Sequence, residues 1–481
     1  MKWETVIGLE THVELATRSK IFCSCSTAFG AAPNTQCCPV CMGLPGTLPV
    51  LNKKVVELAV RAGLALNCEI TKYNRFDRKN YFYPDLPKGY QTSQLYLPVA
   101  QDGALTITLE DGRKKTVGIC EMHMEEDAGK LLHNMPDGRT GVDYNRCGVP
   151  LIEIVTRPDF RDGDEVVAYL EELRCVLQYL GVSDCKLQEG SLRCDVNLSV
   201  RPAGSEQLGT RTEMKNLGSF RAVRRAVEYE SRRQIQVLEA GGQVVQETRR
   251  WDEDRNESVS MRSKEDARDY RYFPEPDLPP LLLDEEYLNI LRTRQPELPG
   301  EKRERYGREY GLSAYDAGMI VGRRALAEFF EQIVALGTAP KEAANWILGP
   351  VLRQLSQRNM DAGDMPLRPG SLARIIAMAE EGRVNRNTAV QVFDAVFDGG
   401  DPEEYVSANG LEQVSDVEQV NRAVERVLRE NPGPAADFRA GKEKCFGFLV
   451  GQTMRLLGGK ADPKQVNTLL RERLLKEEND S

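Results

Sequence analysis

The sequence predicts an α+β protein in three parts: a mixed α/β region over residues 1–293, an all-helical region over 294–405 and a helical tail over 406–481. Two-residue alternation of apolar and polar side chains marks the first part, and helical periodicity marks the rest. Pro296 and Pro299 punctuate the change. The length, 481 residues, fits about three domains.

Taken in order, Met1-Lys2-Trp3-Glu4-Thr5-Val6-Ile7 runs directly into a strand. Continued through Glu10-Thr11-His12-Val13-Glu14, the strand period puts Glu10, His12 and Glu14 on one face. Leu9, Val13 and Leu15 take the other, buried face. On a second strand His123, Glu125 and Asp127 share a face. From Ser191 to Val200 the alternation separates Asp195, Asn197 and Ser199 from Leu192, Cys194, Val196, Leu198 and Val200. Thr212-Glu213-Met214-Lys215-Asn216 reads as a neighbouring strand end, with Glu213 and Lys215 on one face. A helix follows with Ser219 as N-cap and Phe220, Val223, Val227, Ile235 and Leu238 as its apolar stripe. The proline-rich run from Tyr272 to Pro280 is rigid and extended. Beyond Pro299 the helical signal is interrupted near Pro369-Gly370, Gly399 to Pro402 and Pro432 to Pro434.

Composition is that of a soluble globular protein, with 41% hydrophobic and 28% charged residues. No stretch has the apolar length of a membrane span, and the N-terminus does not read as an export signal. Twelve cysteines without such a signal point to a reducing, cytoplasmic setting, with thiols or metal ligands rather than a disulfide frame. The net charge of -9 argues against nucleic-acid binding by the whole surface. From Ser407 onward, however, 12 Lys+Arg balance 12 Asp+Glu, so the tail is the better candidate for touching a polyanion.

Carboxylates gathered on one sheet face repel one another unless a cation or a proton neutralises them. The two acidic strands therefore suggest a divalent metal site, the plainer alternative being two solvated acidic faces. Cys23-Ser24-Cys25 and Cys38-Pro39-Val40-Cys41 have the spacing of a tetrahedral thiolate site. Cys37 is adjacent and spare. Free thiols or a redox pair are the alternatives. The stretch from Arg78 to Gln94 carries Lys79 and Lys88 together with Tyr81, Tyr83 and Tyr90. Lysines hold phosphate as point charges and tyrosines stack on bases, although aromatic core packing with lysines at the rim accounts for the same composition. There is no Gly-x-x-x-x-Gly-Lys-[Ser/Thr] loop, no Gly-rich dinucleotide fingerprint and no nucleophile elbow. In the tail, Gly447 and Gly451 leave one helix face bare, near Lys444, Arg455 and Lys460. Such a face suits close approach of another helix or of a sugar-phosphate backbone.

Seven motifs in order along the chain carry a family resemblance. They are Ile7 to Glu14, Cys38 to Gly46, Arg78 to Gln91, His123 to Lys130, Asp143 to Arg146, Asp269 to Leu278 and Gly459 to Pro463. Together they resemble the B subunits of the aspartyl/glutamyl-tRNA amidotransferases, the GatB family. The resemblance implies a cradle-like mixed α/β catalytic domain, a helical domain and a YqeY-like tail that binds tRNA. It implies ATP and Mg²⁺ as cofactors, and a heterotrimer whose other members are an amidase, the A subunit, together with the small C subunit. The substrates would be misacylated tRNA(Gln) and tRNA(Asn), whose Glu or Asp carboxylate is phosphorylated and then amidated. It places Glu10, His12, Glu125, Asp195 and Glu213 at magnesium, and Glu10, His12, Glu125, Glu126 and Lys79 in catalysis. Lys79, Lys88, Tyr81 and Tyr83 would hold the nucleotide. Cys23, Cys25, Cys38 and Cys41 would hold structural Zn²⁺. Lys444, Gly447, Gly451, Arg455 and Lys460 would touch tRNA. Strand alternation favours Glu125 over Glu126 as the residue facing the metal. Readings from other classes are a free-standing carboxylate-amine ligase and a non-catalytic zinc- and RNA-binding assembly subunit.

Overall fold

The structure, a computed structural model, describes residues 2–133, 135, 137–263, 269–412, 417–458 and 461–476. In chain order the strands are β1 (Trp3–Glu14), β2 (Glu69–Ile70), β3 (Tyr73–Asn74), β4 (Asp77–Asn80), β5 (Tyr90–Ser93), β6 (Ala100–Thr108), β7 (Lys114–Glu126), β8 (Lys130–Leu132), β9 (Gly141–Asp143), β10 (Pro150–Thr156), β11 (Leu192–Pro202), β12 (Thr212–Lys215), β13 (Glu247–Asp252), β14 (Glu257–Ser263), β15 (Phe273–Pro274) and β16 (Leu281–Leu282). Nine of them form one sheet in the order β14-β13-β12-β11-β1-β10-β7-β6-β2. Every pairing in it is antiparallel except β12 with β13.

The alternation in sequence explains the layering. One face of the sheet turns Leu9, Val13, Met122, Met124, Ile152, Ile154, Val196 and Leu198 into the core. Helices α1 (Lys53–Ala65), α2 (Gly163–Leu180) and α3 (Phe220–Glu239) bury their apolar stripes in the same core, through residues such as Val60, Leu170 and Val223. Each helix is started by a side-chain cap: Asn52 for α1, Asp162 for α2 and Ser219 for α3. Gly181, with φ +64°, ends α2 in the left-handed conformation that glycine adopts without strain.

This compact unit runs to Pro299. The sequence places the boundary at 293, where α4 (Glu285–Thr293) ends. The next residues stay with the first unit: Leu298 packs on its core and the Gln295 side-chain amide donates to the Arg61 carbonyl at 3.0 Å.

The second compact unit, 300–481, is helical throughout its described residues. Its first helices pack around Tyr306, Phe330, Trp346, Phe393 and Phe397, all nearly inaccessible to solvent. Pro350 lies inside a π turn, Ile347–Val351. The tail helices Val417–Glu430, Pro432–Arg439, Lys444–Leu456 and Pro463–Lys476 build a separate core from Val420, Val424, Leu449, Val466, Leu470 and Leu474. Among the described residues no helix is long and apolar enough to cross a membrane.

Candidate active site

The polar face of the large sheet collects the acidic residues. Antiparallel partners point their side chains to the same side. His12 on β1 is therefore aligned with Glu153 on β10, and Glu153 with His123 on β7. On the other flank of β1, Glu10 is aligned with Asp195 on β11. Two groups result. His12, Glu125 and Glu153 bring their ligand atoms within 4.8 Å of one another, and so do Glu10, Asp195 and Glu213.

In the first group His12 Nε2 lies 3.6 Å from a Glu125 oxygen and 3.6 Å from a Glu153 oxygen. His123, beside Glu153 in the register, brings its Nε2 to 2.8 Å from Glu153 and 3.8 Å from Glu125. In the second group the Lys215 ammonium lies between Asp195 and Glu213, 3.0 Å from the latter. The Asn197 amide donates to Glu10 at 2.8 Å and the Thr248 hydroxyl to Glu213 at 2.8 Å.

The two groups differ electrostatically. Burial and the neighbouring Glu153, Glu213 and Asp195 carboxylates push the Glu10 pKa up. Burial also opposes ionisation of Glu153, but His123, His12 and Lys79 outweigh it and hold that carboxyl well below the usual range. Burial disfavours the His123 imidazolium, yet Glu153 and Glu125 push its pKa up to about 10. Glu14, one turn of the pleat further, is pushed up to about 7 by burial and by Asp127.

Lys79 and Tyr81 are coupled to the first group through its charges. Lys79 is on β4, its Nζ 5.2 Å from the centre of the Tyr270 ring, and its charge acts on Glu153. Tyr81, Tyr270 and Tyr272 stack edge to face at 5.8 and 6.0 Å. Burial raises the Tyr81 and Tyr272 hydroxyl pKa values, and Glu125 adds to both shifts.

Lys88, Glu126 and Tyr83 do not join them. Glu126 follows Glu125 on β7, so it faces the opposite side of the strand. There it pairs with Lys88 and accepts the Thr92 backbone N–H at 2.8 Å. Both line a cavity of about 230 Å³ shared with Cys23, Cys41 and Tyr90. Tyr83 is 48% exposed in the loop before β5.

The four sulfurs of Cys23, Cys25, Cys38 and Cys41 also lie within 4.8 Å of one another. The second pair sits on a tight turn in which Met42 N–H donates to the Cys38 carbonyl and Gly43 N–H to the Val40 carbonyl, each at 3.0 Å. Gly43 has φ +65°, and a Cβ there would meet Lys88 Cγ at 2.5 Å, so the turn requires glycine. The Cys41 thiol is held down to about 4 by hydrogen bonds from the Cys23 thiol and the Cys38 backbone and by the Lys20 charge. Cys37 turns away, its sulfur 3.8 Å from the Asn145 side-chain oxygen.

In the tail, Gly447 and Gly451 are exposed on Lys444–Leu456, and a Cβ at either would meet nothing within 4 Å. Lys444 and Arg455 are exposed on the same helix. Lys460 lies outside the described residues.

Sequence reasoning missed Glu153 and the position of Lys215 inside the second group. Glu153 had one available signal: it is a lone acid within the apolar run Leu151-Ile152-Glu153-Ile154-Val155. A charge inside a strand of that composition needs a partner.

The chain that builds this sheet and its acidic face is a member of the GatB family. Residues 5–289 match the GatB/GatE catalytic domain and residues 328–474 the GatB domain. Among individual proteins, the chain is 56% identical over 475 residues to the B subunit of the aspartyl/glutamyl-tRNA(Asn/Gln) amidotransferase of Lachnoclostridium phytofermentans, covering 98% of this chain and 99% of the relative. It is 55% identical over 480 residues to the protein of the same name from Caldicellulosiruptor saccharolyticus, covering 99% and 100%.

Proposed function

We propose that this chain is the B subunit of a glutamine-dependent tRNA amidotransferase, a ligase that forms a carbon–nitrogen bond. A phosphoryl group passes from ATP to the side-chain carboxylate of Glu or Asp misacylated on tRNA(Gln) or tRNA(Asn). Ammonia, released from glutamine by the amidase partner, then displaces phosphate and leaves the amide. A third, small subunit makes up the heterotrimer. The observation that carries this reading is the match over 98% of the chain to a relative bearing that name.

The chemistry explains the site. A carboxylate is a poor electrophile, and phosphorylation supplies a leaving group. The donor sets His12/Glu125/Glu153 and Glu10/Asp195/Glu213 are rich in oxygen, which suits Mg²⁺. These residues would hold the ion, which would supply positive charge against the transferring phosphoryl group. Lys79, whose charge acts on Glu153, offers a point charge to phosphate. Tyr81, Tyr270 and Tyr272 form an aromatic wall beside Lys79. His123 donates to Glu153 from the neighbouring strand and keeps its carboxylate ionised and oriented. The four thiolates suit structural Zn²⁺, which staples a turn that a reducing compartment would not let a disulfide hold.

The test is the reconstituted heterotrimer with Glu10→Ala or Glu125→Ala. ATP turnover stimulated by misacylated tRNA should be lost, while glutamine hydrolysis by the amidase persists. If both variants keep that ATP turnover, the chain is a non-catalytic zinc- and RNA-binding assembly subunit instead.

A further inference from the structure

Lys20 is fully buried, and it touches both halves of the cysteine group. Its backbone N–H donates to the Cys25 carbonyl at 3.0 Å, which fixes the turn carrying Cys23 and Cys25. Its Nζ lies 3.7 Å from the Cys41 sulfur and 3.2 Å from the Tyr144 carbonyl oxygen. Among the described residues no carboxylate pairs with the ammonium, so the cysteine sulfur is its one hydrogen-bond partner able to carry negative charge.

A buried ammonium is costly without a compensating charge. Four neutral thiols offer none, and neither do two disulfides. Four thiolates around a divalent ion carry an excess of negative charge, and they need donors. We propose that Lys20 is the built-in counter-charge of a four-thiolate metal centre: it donates an N–H···S hydrogen bond to Cys41 and offsets the excess charge of the thiolates. It is a positioning residue and not a ligand. The inference rests on reading the cysteine group as a metal site. It adds to that reading a reason why the metal-loaded state is the one this fold accommodates. Removing or oxidising the thiolates leaves Lys20 buried without its counter-charge.

The experiment uses the full chain in its heterotrimer, loaded with zinc or with cobalt(II) as a spectroscopic probe. Lys20→Met removes charge and donor, and Lys20→Gln keeps an N–H donor without charge. Loss of such an outer partner weakens metal binding by about 10–100-fold. Lys20→Met should therefore lose zinc to a chromophoric chelator that much more readily, with Lys20→Gln between it and the unaltered chain. An N–H···S bond stabilises the sulfur lone pair, so the thiolate-to-cobalt charge-transfer band should move to lower energy in Lys20→Met. A merely structural role would not move that band. If Lys20→Met fails to fold by circular dichroism, Lys20→Gln decides on the same two readouts. Unchanged zinc retention and an unmoved band overturn the role of Lys20. Absence of a tetrahedral thiolate spectrum in the unaltered chain overturns the metal reading itself, and Lys20's role with it.

Discussion

Glu153 acquires its role from three neighbours that come from two other strands and a hairpin. His123 donates to it, His12 faces it and the Lys79 charge acts on it. Glu153→Gln keeps the shape and removes the charge. Manganese binding to the chain, followed by electron paramagnetic resonance, should weaken by at least about tenfold, and tRNA-stimulated ATP turnover should fall with it. Glu230 is the structural counterpart, a fully buried carboxylate on α3. It accepts from Arg233 at 2.8 Å and from Thr212, Gln234 and Ser258 at 3.0 Å each. Glu230→Gln removes one of the two carboxylates facing Arg233 and Arg249, the other being Glu247, and should cost about 1–3 kcal/mol in chemical denaturation at pH 7. The pH dependence follows from direction. Burial pushes the Glu230 carboxyl up, but the Arg233 and Gln234 bonds hold it below its ordinary value. The unfolded chain therefore binds the proton more readily, and the contribution is present above the ordinary carboxylate pKa. It is lost as pH falls through the lowered folded value. The gap between variant and unaltered chain should accordingly narrow in acid and stay constant from neutral pH upward.

At the scale of elements, β1, β11 and β12 were legible because one of their faces is buried and the other is not. Period-two alternation reports that difference directly, and Ser219 announced α3 through its hydroxyl. The short strands β2, β3, β15 and β16 were not legible, since two residues carry no periodicity. Their pairing depends on partners far away in sequence, such as Leu281 with Asn74. The tail helix Lys444–Leu456 supports a prediction of its own. Gly447 is exposed and a Cβ would meet nothing within 4 Å. Alanine there should stabilise the helix by about 0.5–1 kcal/mol. If the bare face receives the tRNA backbone, the same substitution should weaken tRNA binding. A thermal melt and a tRNA titration on Gly447→Ala should thus move in opposite directions. Parallel gains in both would leave the glycine as a packing feature only.

For the whole molecule, charge is distributed unevenly: the region from Ser407 is neutral, so the net -9 lies upstream. Deleting residues from 406 onward should weaken tRNA affinity and flatten its dependence on salt, because fewer phosphates are neutralised. Binding of ATP and of the amidase partner should be little changed. Equal tRNA affinity at equal ionic strength, with and without the tail, would remove the tail from recognition. Protein purified without chelator should contain close to one zinc per chain, and less than about half an equivalent would count against a full four-thiolate site.

The amino-acid sequence alone determined which faces of the long strands are polar, which four cysteines have ligand spacing and where helices replace strands. Those properties are local, set by side-chain period and by turn chemistry within a few residues. Only the tertiary structure decided the partners. It aligned Glu153 with His12 and His123 across three strands, and it set Lys215 between Asp195 and Glu213. It divided the acids into two groups and turned Glu126 and Lys88 to the far side of β7. It also brought Lys20 against Cys41. These arrangements depend on strand order and register, and strand order joins segments more than a hundred residues apart. A charge on such a sheet shows its chemistry in sequence, but its pKa and its role come from the charges that the register sets beside it.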